Sequence, residues 1–358
     1  MSPESALAPE SVLSHAARWY ALSGIQELSG GVARYYRTDL EQNLPISTEI
    51  TGYAISALLD LGQQTEALSA ARFLCREAWN GSTMPFELEP SDAGLFTYFF
   101  DCGIIVRGLL AAWRASRDQE FLDVAASLGK SMITDFAGTN GDYHPILELP
   151  GKQPLHYDPA RWSRSPGCYQ LKTGMAWWEL FEITGDVEFR QAYEHLAEEA
   201  IRGFRSFLPG HTDPLKVVDR LHPFLYFLEA LLPCISDPAY AAAFREGLPR
   251  LTHHLNQTAA QFERSDAYAQ LLRVRIYGDW AQIVRLDRQV AEHEAATLAS
   301  FQATSPDLRI DGGFYFGRRE GNFLPYVNPV STAFGCQALR LWQHHRTGGA
   351  PADWRLLI

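Results

Sequence analysis

The sequence predicts an all-α protein, an (α/α)6 toroid of six inner and six outer helices, and three observations lead there. Apolar residues recur at spacings of three and four along nearly the whole chain, which is the helical period. The helices marked in this way alternate between two kinds. The connections between them alternate between short and long.

The first kind covers residues 49–61, 101–113, 169–186, 219–232, 266–280 and 330–345. These segments are apolar nearly all round and rich in Gly, Ala and aromatics. The second kind covers 11–28, 64–79, 119–136, 187–207, 238–255 and 287–303, amphipathic segments with charged positions such as Glu194, Glu198, Glu199 and Arg202. All-round apolarity implies burial on every side, and one-sided apolarity implies a surface helix. Six of each is the arithmetic of an inner ring within an outer ring. An open stack of helical hairpins shares the local pattern, but uniform short linkers and capping repeats would then be expected. One domain over 1–358 follows, with residues 1–10 as a flexible leading segment.

Composition fits this picture. The chain has 358 residues, a formal charge of −11, 46% hydrophobic and 20% charged residues, a globular composition. No Lys/Arg cluster is present, which argues against a nucleic-acid partner, since phosphate neutralisation needs a basic face. No apolar run reaches the length of a membrane span; the one around Phe224 is broken by Glu229. The five cysteines are far apart and form no CxxC pair, and the first ten residues carry neither a basic nor an apolar leader region. Both features point to a reduced, cytoplasmic protein. HExxH, GKS/GKT and GxSxG patterns are all missing, so neither a metal nor another cofactor is expected.

The linkers locate function. Connections from inner to outer helices are short (61–63, 116–118, 184–186), whereas 29–48, 80–98, 138–168 and 305–328 are long and rich in aromatics. Long connections in a compact domain are functional more often than not, and all four precede inner helices. They build a mouth at the N-terminal ends of the inner ring. Gly30-Gly31, Asn80-Gly81 and Gly312-Gly313, each followed by aromatics, suggest short β-hairpins at the rim. Tyr35, Phe86, Trp162, Phe314, Tyr315 and Tyr326 then line the mouth, as in a sugar-binding cleft.

Charged residues begin several inner helices: Glu49, Asp101, Lys172, Asp219 and Asp266. One acidic residue there is ordinary capping; five converging on one axis suggest a site. Asp101, between Phe99-Phe100 and Cys102-Gly103, has apolar neighbours that raise a carboxyl toward general-acid range. Glu49, Glu87 and Asp158 are the candidate second carboxylates. The loop from Leu155 to Gly167 holds His156, Tyr157, Arg161, Trp162 and Arg164, a set suited to an anionic sugar because Arg offers a bidentate fork. Arg34, Tyr53, Tyr169, Gln170, Lys172, Asp219, Asp266, Phe314 and Tyr315 complete the expected substrate-binding set.

The arrangement resembles the six-hairpin glycosidase superfamily over almost the whole chain. Locally, Phe100-Asp101-Cys102-Gly103-Ile104, followed by Arg114-Ala115-Ser116-Arg117-Asp118, is similar to the HDxGF segment of unsaturated glucuronyl hydrolases. That resemblance implies an acid/base role for Asp101. The chain has Phe100 where that family has His, and Tyr169-Gln170-Leu171-Lys172 in place of its second Asp. The expected activity is hydrolysis of a glycosidic bond in oligosaccharides, uronate-containing ones included. Alternatives stay open. One is a polysaccharide lyase using Tyr157 or Tyr169 with His156. Another is an epimerase-like enzyme with His156 or His222 as base, and a third is a non-catalytic glycan binder of a polysaccharide assembly system.

Overall fold

The computed structural model describes residues 9–90, 94–158 and 160–358. The expected flexible segment lies almost wholly outside them. Twelve α-helices are present among the described residues: α1 (Pro9–Leu22), α2 (Thr48–Asp60), α3 (Gln64–Phe73), α4 (Phe99–Ser116), α5 (Gln119–Asp135), α6 (Leu171–Thr184), α7 (Val187–Phe207), α8 (Pro214–Ala230), α9 (Pro238–Thr258), α10 (Ser265–Trp280), α11 (Arg288–Ala299) and α12 (Pro329–Arg346). The even-numbered helices pack on one another in sequence, and α12 returns to pack on α2. That contact closes the ring and excludes an open stack. Each odd-numbered helix packs outside its partner, with α1 against α12.

Local chemistry sets the helix starts. The outer helices α5, α7, α9 and α11 follow tight turns and open on Asp118, Asp186, Asp237 and Asp287, whose carboxylates accept backbone N–H bonds from the first turn. Small residues set how closely the inner helices approach. A Cβ on Gly108 would stand 2.4 Å from the Gly52 carbonyl oxygen, and one on Gly103 would stand 2.4 Å from Thr173 Cβ. Thus α2, α4 and α6 pack backbone to backbone, which explains the glycine content of the inner segments.

The rim carries three small antiparallel sheets. β1 (Tyr36–Arg37) pairs with β2 (Gln42–Asn43), and both belong to the first long loop; β9 (Tyr326–Val327) joins β1 from the last loop. β3 (Leu95–Tyr98) pairs with β4 (Ile146–Leu149), which pairs with β5 (Gln153–Pro154). β6 (Phe262–Arg264) pairs with β7 (Gly317–Arg319), and β7 with β8 (Asn322–Phe323). Each sheet ties together two successive or distant rim loops. Among the described residues the Asn80-Gly81 opening forms no hairpin; its chain meets β3 where the Phe86 N–H donates to the Phe96 carbonyl. The opposite end of the ring is filled by residues 349–358, where Leu357 and Ile358 are buried and Arg107 and Gln337 donate to the Arg355 and Leu356 carbonyls.

Two helix boundaries differ from expectation. α1 ends at Leu22, with the chain turning through Ser23-Gly24. α8 begins at Pro214, capped by Asp213, so Asp219 sits in its second turn and not at its start. The Asp-Pro pair is the stronger start signal.

Candidate functional site at the mouth of the ring

Strands β3 and β6 run directly into α4 and α10, and neither helix has a side-chain cap at its start. The first-turn acids are therefore free to face the axis. On α2, Ser47 supplies the cap and leaves Glu49 available.

Asp101 and Glu49 stand on adjacent inner helices. Asp101 is buried and, among the described residues, makes no ion pair and leaves its Oδ2 without a hydrogen-bond partner. Burial pushes its carboxyl well above the usual carboxylate range, and the neighbouring Glu49 charge pushes it further. Glu49 is itself raised to about 7 by burial, with Arg34 opposing. The two carboxyls are thus coupled, the Glu49 charge disfavouring ionisation of Asp101. The Arg34 guanidinium pairs with Glu87 and lies 5.0 Å over the Phe86 ring. Tyr98 completes this side: burial and Asp101 raise its hydroxyl, while Arg164 and Arg34 oppose.

Across the mouth stands a second group. The hydroxyls of Tyr53 and Tyr226 are 2.7 Å apart, and the Tyr226 ring packs on Phe100 at 4.7 Å and on His222 at 4.4 Å. His222 Nδ1 lies 3.5 Å from Asp266 Oδ2 and has no hydrogen-bond partner. Burial pushes His222 down to about 4 despite Asp266, so the imidazole is neutral at neutral pH. Burial would raise Asp266, but Arg264, bonded to both its oxygens at 3.0 and 2.6 Å, and His222 outweigh it and hold the carboxyl below the usual range. Asp219, more than half exposed, reaches Arg264 only at 3.9 Å.

The structure thus brings Asp101, Glu49, Glu87, Arg34, Arg164, Tyr53 and Asp266 into one neighbourhood around the first turns of the inner helices. Tyr169 joins them: its ring lies near Phe100, its hydroxyl is raised chiefly by burial, and Asp101 contributes to that shift. Trp162 packs edge-on against it at 5.0 Å. Other expected residues are committed elsewhere. Lys172 is fully buried below the mouth, 2.7 Å from Glu229, with Arg273 on the other Glu229 oxygen at 2.7 Å. Gln170 is buried and bonds the Gly167 N–H and the Tyr143 carbonyl. Phe314 is a core residue against Gly335, and Tyr315 stacks on Phe323 at 4.6 Å. In the longest loop His156 is exposed, Tyr157 bonds Asp142 and His144, and Asp158 faces the exposed Arg161 at 3.7 Å. Among the described residues no three His, Cys, Asp or Glu side chains gather as a metal site.

No protein-family model matches the chain, and no curated protein matches it in sequence. Solved structures do match. A sugar epimerase from a ruminal bacterium superposes with a TM-score of 0.68 at 12% identity, over 92% of this chain and 97% of that one. Cellobiose 2-epimerase from Spirochaeta thermophila gives 0.67 at 14% identity, over 94% and 95%. A possible member of the GH105 family from Salmonella enterica gives 0.58 at 13% identity, over 97% of each. The fold these structures share with the chain is the (α/α)6 toroid.

Within that toroid, three residues of the mouth escaped sequence reasoning. Tyr98 and Arg264 immediately precede α4 and α10, and the Arg-x-Asp spacing of Arg264 and Asp266 was a readable signal for a local ion pair. Tyr226 lies four residues after His222, one turn along the same buried face of α8. His222 itself was legible only as an isolated histidine.

Proposed function

We propose that the protein acts on a carbohydrate and hydrolyses a glycosidic bond, with Asp101 as general acid and Glu49 as the carboxylate that activates water. One observation carries this reading: a buried carboxyl in the first turn of an inner helix, one oxygen unpartnered, raised by burial and by a second carboxyl beside it, with no ion-pair partner among the described residues. The Asp101 proton passes to the glycosidic oxygen as its bond to the anomeric carbon breaks. Water attacks that carbon and gives its proton to Glu49. Glu87 is the weaker choice for the second role because Arg34 already engages it, and Asp158 faces Arg161. The aromatic rings and Arg34 and Arg164 supply stacking and directed hydrogen bonds for a sugar, acidic or neutral. That structural neighbours include proteins named as sugar and cellobiose epimerases supports a carbohydrate substrate.

The test is turnover of a panel of neutral and uronate-containing oligosaccharides, followed by the appearance of new reducing ends. General acid catalysis is worth about 10²–10⁴-fold, so Asp101→Asn should lower kcat by that range while the protein keeps its circular-dichroism spectrum. Unchanged turnover in this variant would sink the assignment.

A second reading, sugar epimerisation, is favoured by His222. A neutral imidazole with an unpartnered Nδ1 next to an ionised Asp266 is suited to taking a proton from a carbon beside a sugar carbonyl. Epimerisation creates an isomer of unchanged mass and no new reducing end. It would be lost in His222→Asn.

A further inference from the structure

A second cleft opens on the flank of the ring, outside the mouth, between the long rim loop and helices α7 and α8. Its volume is about 320 Å³, and its walls include Asp142, Gly167, Cys168, Glu199, Gly203 and Arg220. This size falls within the range of small-molecule sites.

Two observations separate it from a packing gap. Arg220 is half-buried on one wall, yet no carboxylate answers it. Its guanidinium lies 5.1 Å over the Phe207 ring and donates one hydrogen bond, at 3.3 Å, to the Phe207 carbonyl. A half-buried guanidinium with one intramolecular hydrogen bond, and no carboxylate partner among the described residues, has donors to spare for a ligand. Gly203 is the second observation. It lies within α7, where glycine is less favourable than alanine by roughly 1 kcal/mol. Nothing in the fold requires it, since its φ is not positive and a Cβ there would meet no atom within 4 Å. Its missing side chain leaves the cleft open. Elsewhere in the ring, at Gly52, Gly103 and Gly108, glycine is explained by a neighbouring helix.

We propose that this cleft binds a small hydroxylated carboxylate, with Arg220 taking the carboxylate group and Asp142, Glu199 and the nearby backbone taking the hydroxyls. Glu199 is paired with Arg202 and Asp142 accepts from Tyr157, so Arg220 is the one unpaired cation among the cleft's lining residues, which favours a monoanion over a phosphate dianion. Bidentate pairing with the planar guanidinium adds geometric selection for a carboxylate. The segment Gly167 to Gln170 contributes to one wall, and the Tyr169 ring lies 6.3 Å from that of Phe100, the residue before Asp101, so the cleft and the mouth share this segment. This assignment does not depend on the reaction carried out in the mouth.

The test is calorimetric titration of the full chain with D-gluconate, with D-glucose and inorganic phosphate as comparison arms. Gluconate should bind saturably and more tightly than either. Arg220→Gln should weaken it roughly tenfold or more, the effect of losing a charge-assisted pair. Gly203→Leu, which places a side chain into open space, should abolish binding while the thermal midpoint is held or raised. Asp101→Asn should bind gluconate as the unaltered protein does. Failure of gluconate to bind, phosphate binding as tightly as gluconate, or gluconate binding that survives both cleft variants would overturn the proposal. Binding lost only in Asp101→Asn would place gluconate in the mouth and overturn it equally.

Discussion

Replacing Glu49 by Gln should stabilise the protein above neutral pH and leave it nearly unchanged in acid. Burial moves this carboxyl from 4.5 to about 7, so the folded state holds its proton more tightly than the unfolded chain does. The sign follows from proton linkage: stability is fullest below about 4.5, falls as pH rises through about 7, and is level above that. At ~1.36 kcal/mol for each pH unit of displacement, ionised Glu49 costs the fold at most about 3 kcal/mol, the mouth being partly open to water. Gln carries no charge to desolvate and so escapes this cost. It also removes the charge that helps raise Asp101, whose carboxyl should fall but stay elevated by burial. The assay is urea unfolding followed by circular dichroism at pH 5 and pH 8. The variant and the unaltered protein should differ little at the lower pH, and the variant should be the more stable by about 2–3 kcal/mol at the higher. An equal difference at both pH values, or a variant less stable at pH 8, would refute the buried-pair geometry. Turnover of any substrate should fall sharply in this variant, since Glu49 is the carboxylate proposed to activate water.

Three further outcomes test the frame around the site. Glu229→Gln leaves Lys172 and Arg273 without their shared carboxylate in the interior and should cost about 3–5 kcal/mol in chemical denaturation; Lys172→Met, which leaves the Arg273 pair intact, should cost clearly less. Gly108→Ala forces a methyl against the Gly52 carbonyl and should destabilise by about 1–3 kcal/mol, seen as a lower thermal midpoint. Gly203→Ala should act in the opposite direction and raise stability by about 0.5–1 kcal/mol.

The ring was legible because burial on all sides leaves a compositional trace that does not depend on knowing the neighbours. Segments such as 101–113 are apolar and glycine-containing whichever helices surround them. Loop lengths were equally direct, since long aromatic loops before four of the six inner helices place the mouth at one end. The rim sheets were only partly legible. Strands of two to four residues leave no period to detect, and β1 finds β9 across nearly the full length of the chain. The start of α8 was misplaced because the apolar stripe begins at Val217, three residues after Pro214.

The site was harder, and the reason lies in how an isolated charge reads in an apolar helix. Asp101, Lys172, Glu179, Glu229 and Arg273 look alike in sequence, each a single charged residue among apolar ones. What separates them is whether another inner helix answers the charge. Glu179 meets Arg107 and Arg114, and Glu229 meets Lys172 and Arg273, partners 57 and 44 positions away in the case of Lys172 and Arg273. These pairings are tertiary, and nothing local announces them. Glu229, visible in the sequence only as an interruption of an apolar run, turns out to neutralise the centre of the ring. Once such pairs are removed from consideration, Asp101 remains with no ion pair, an unpartnered oxygen and a raised carboxyl beside Glu49. An unanswered buried acid is expensive to keep. In the first turn of an inner helix, beside a second carboxyl, it is the group in the inner ring with the strongest physical claim to chemistry.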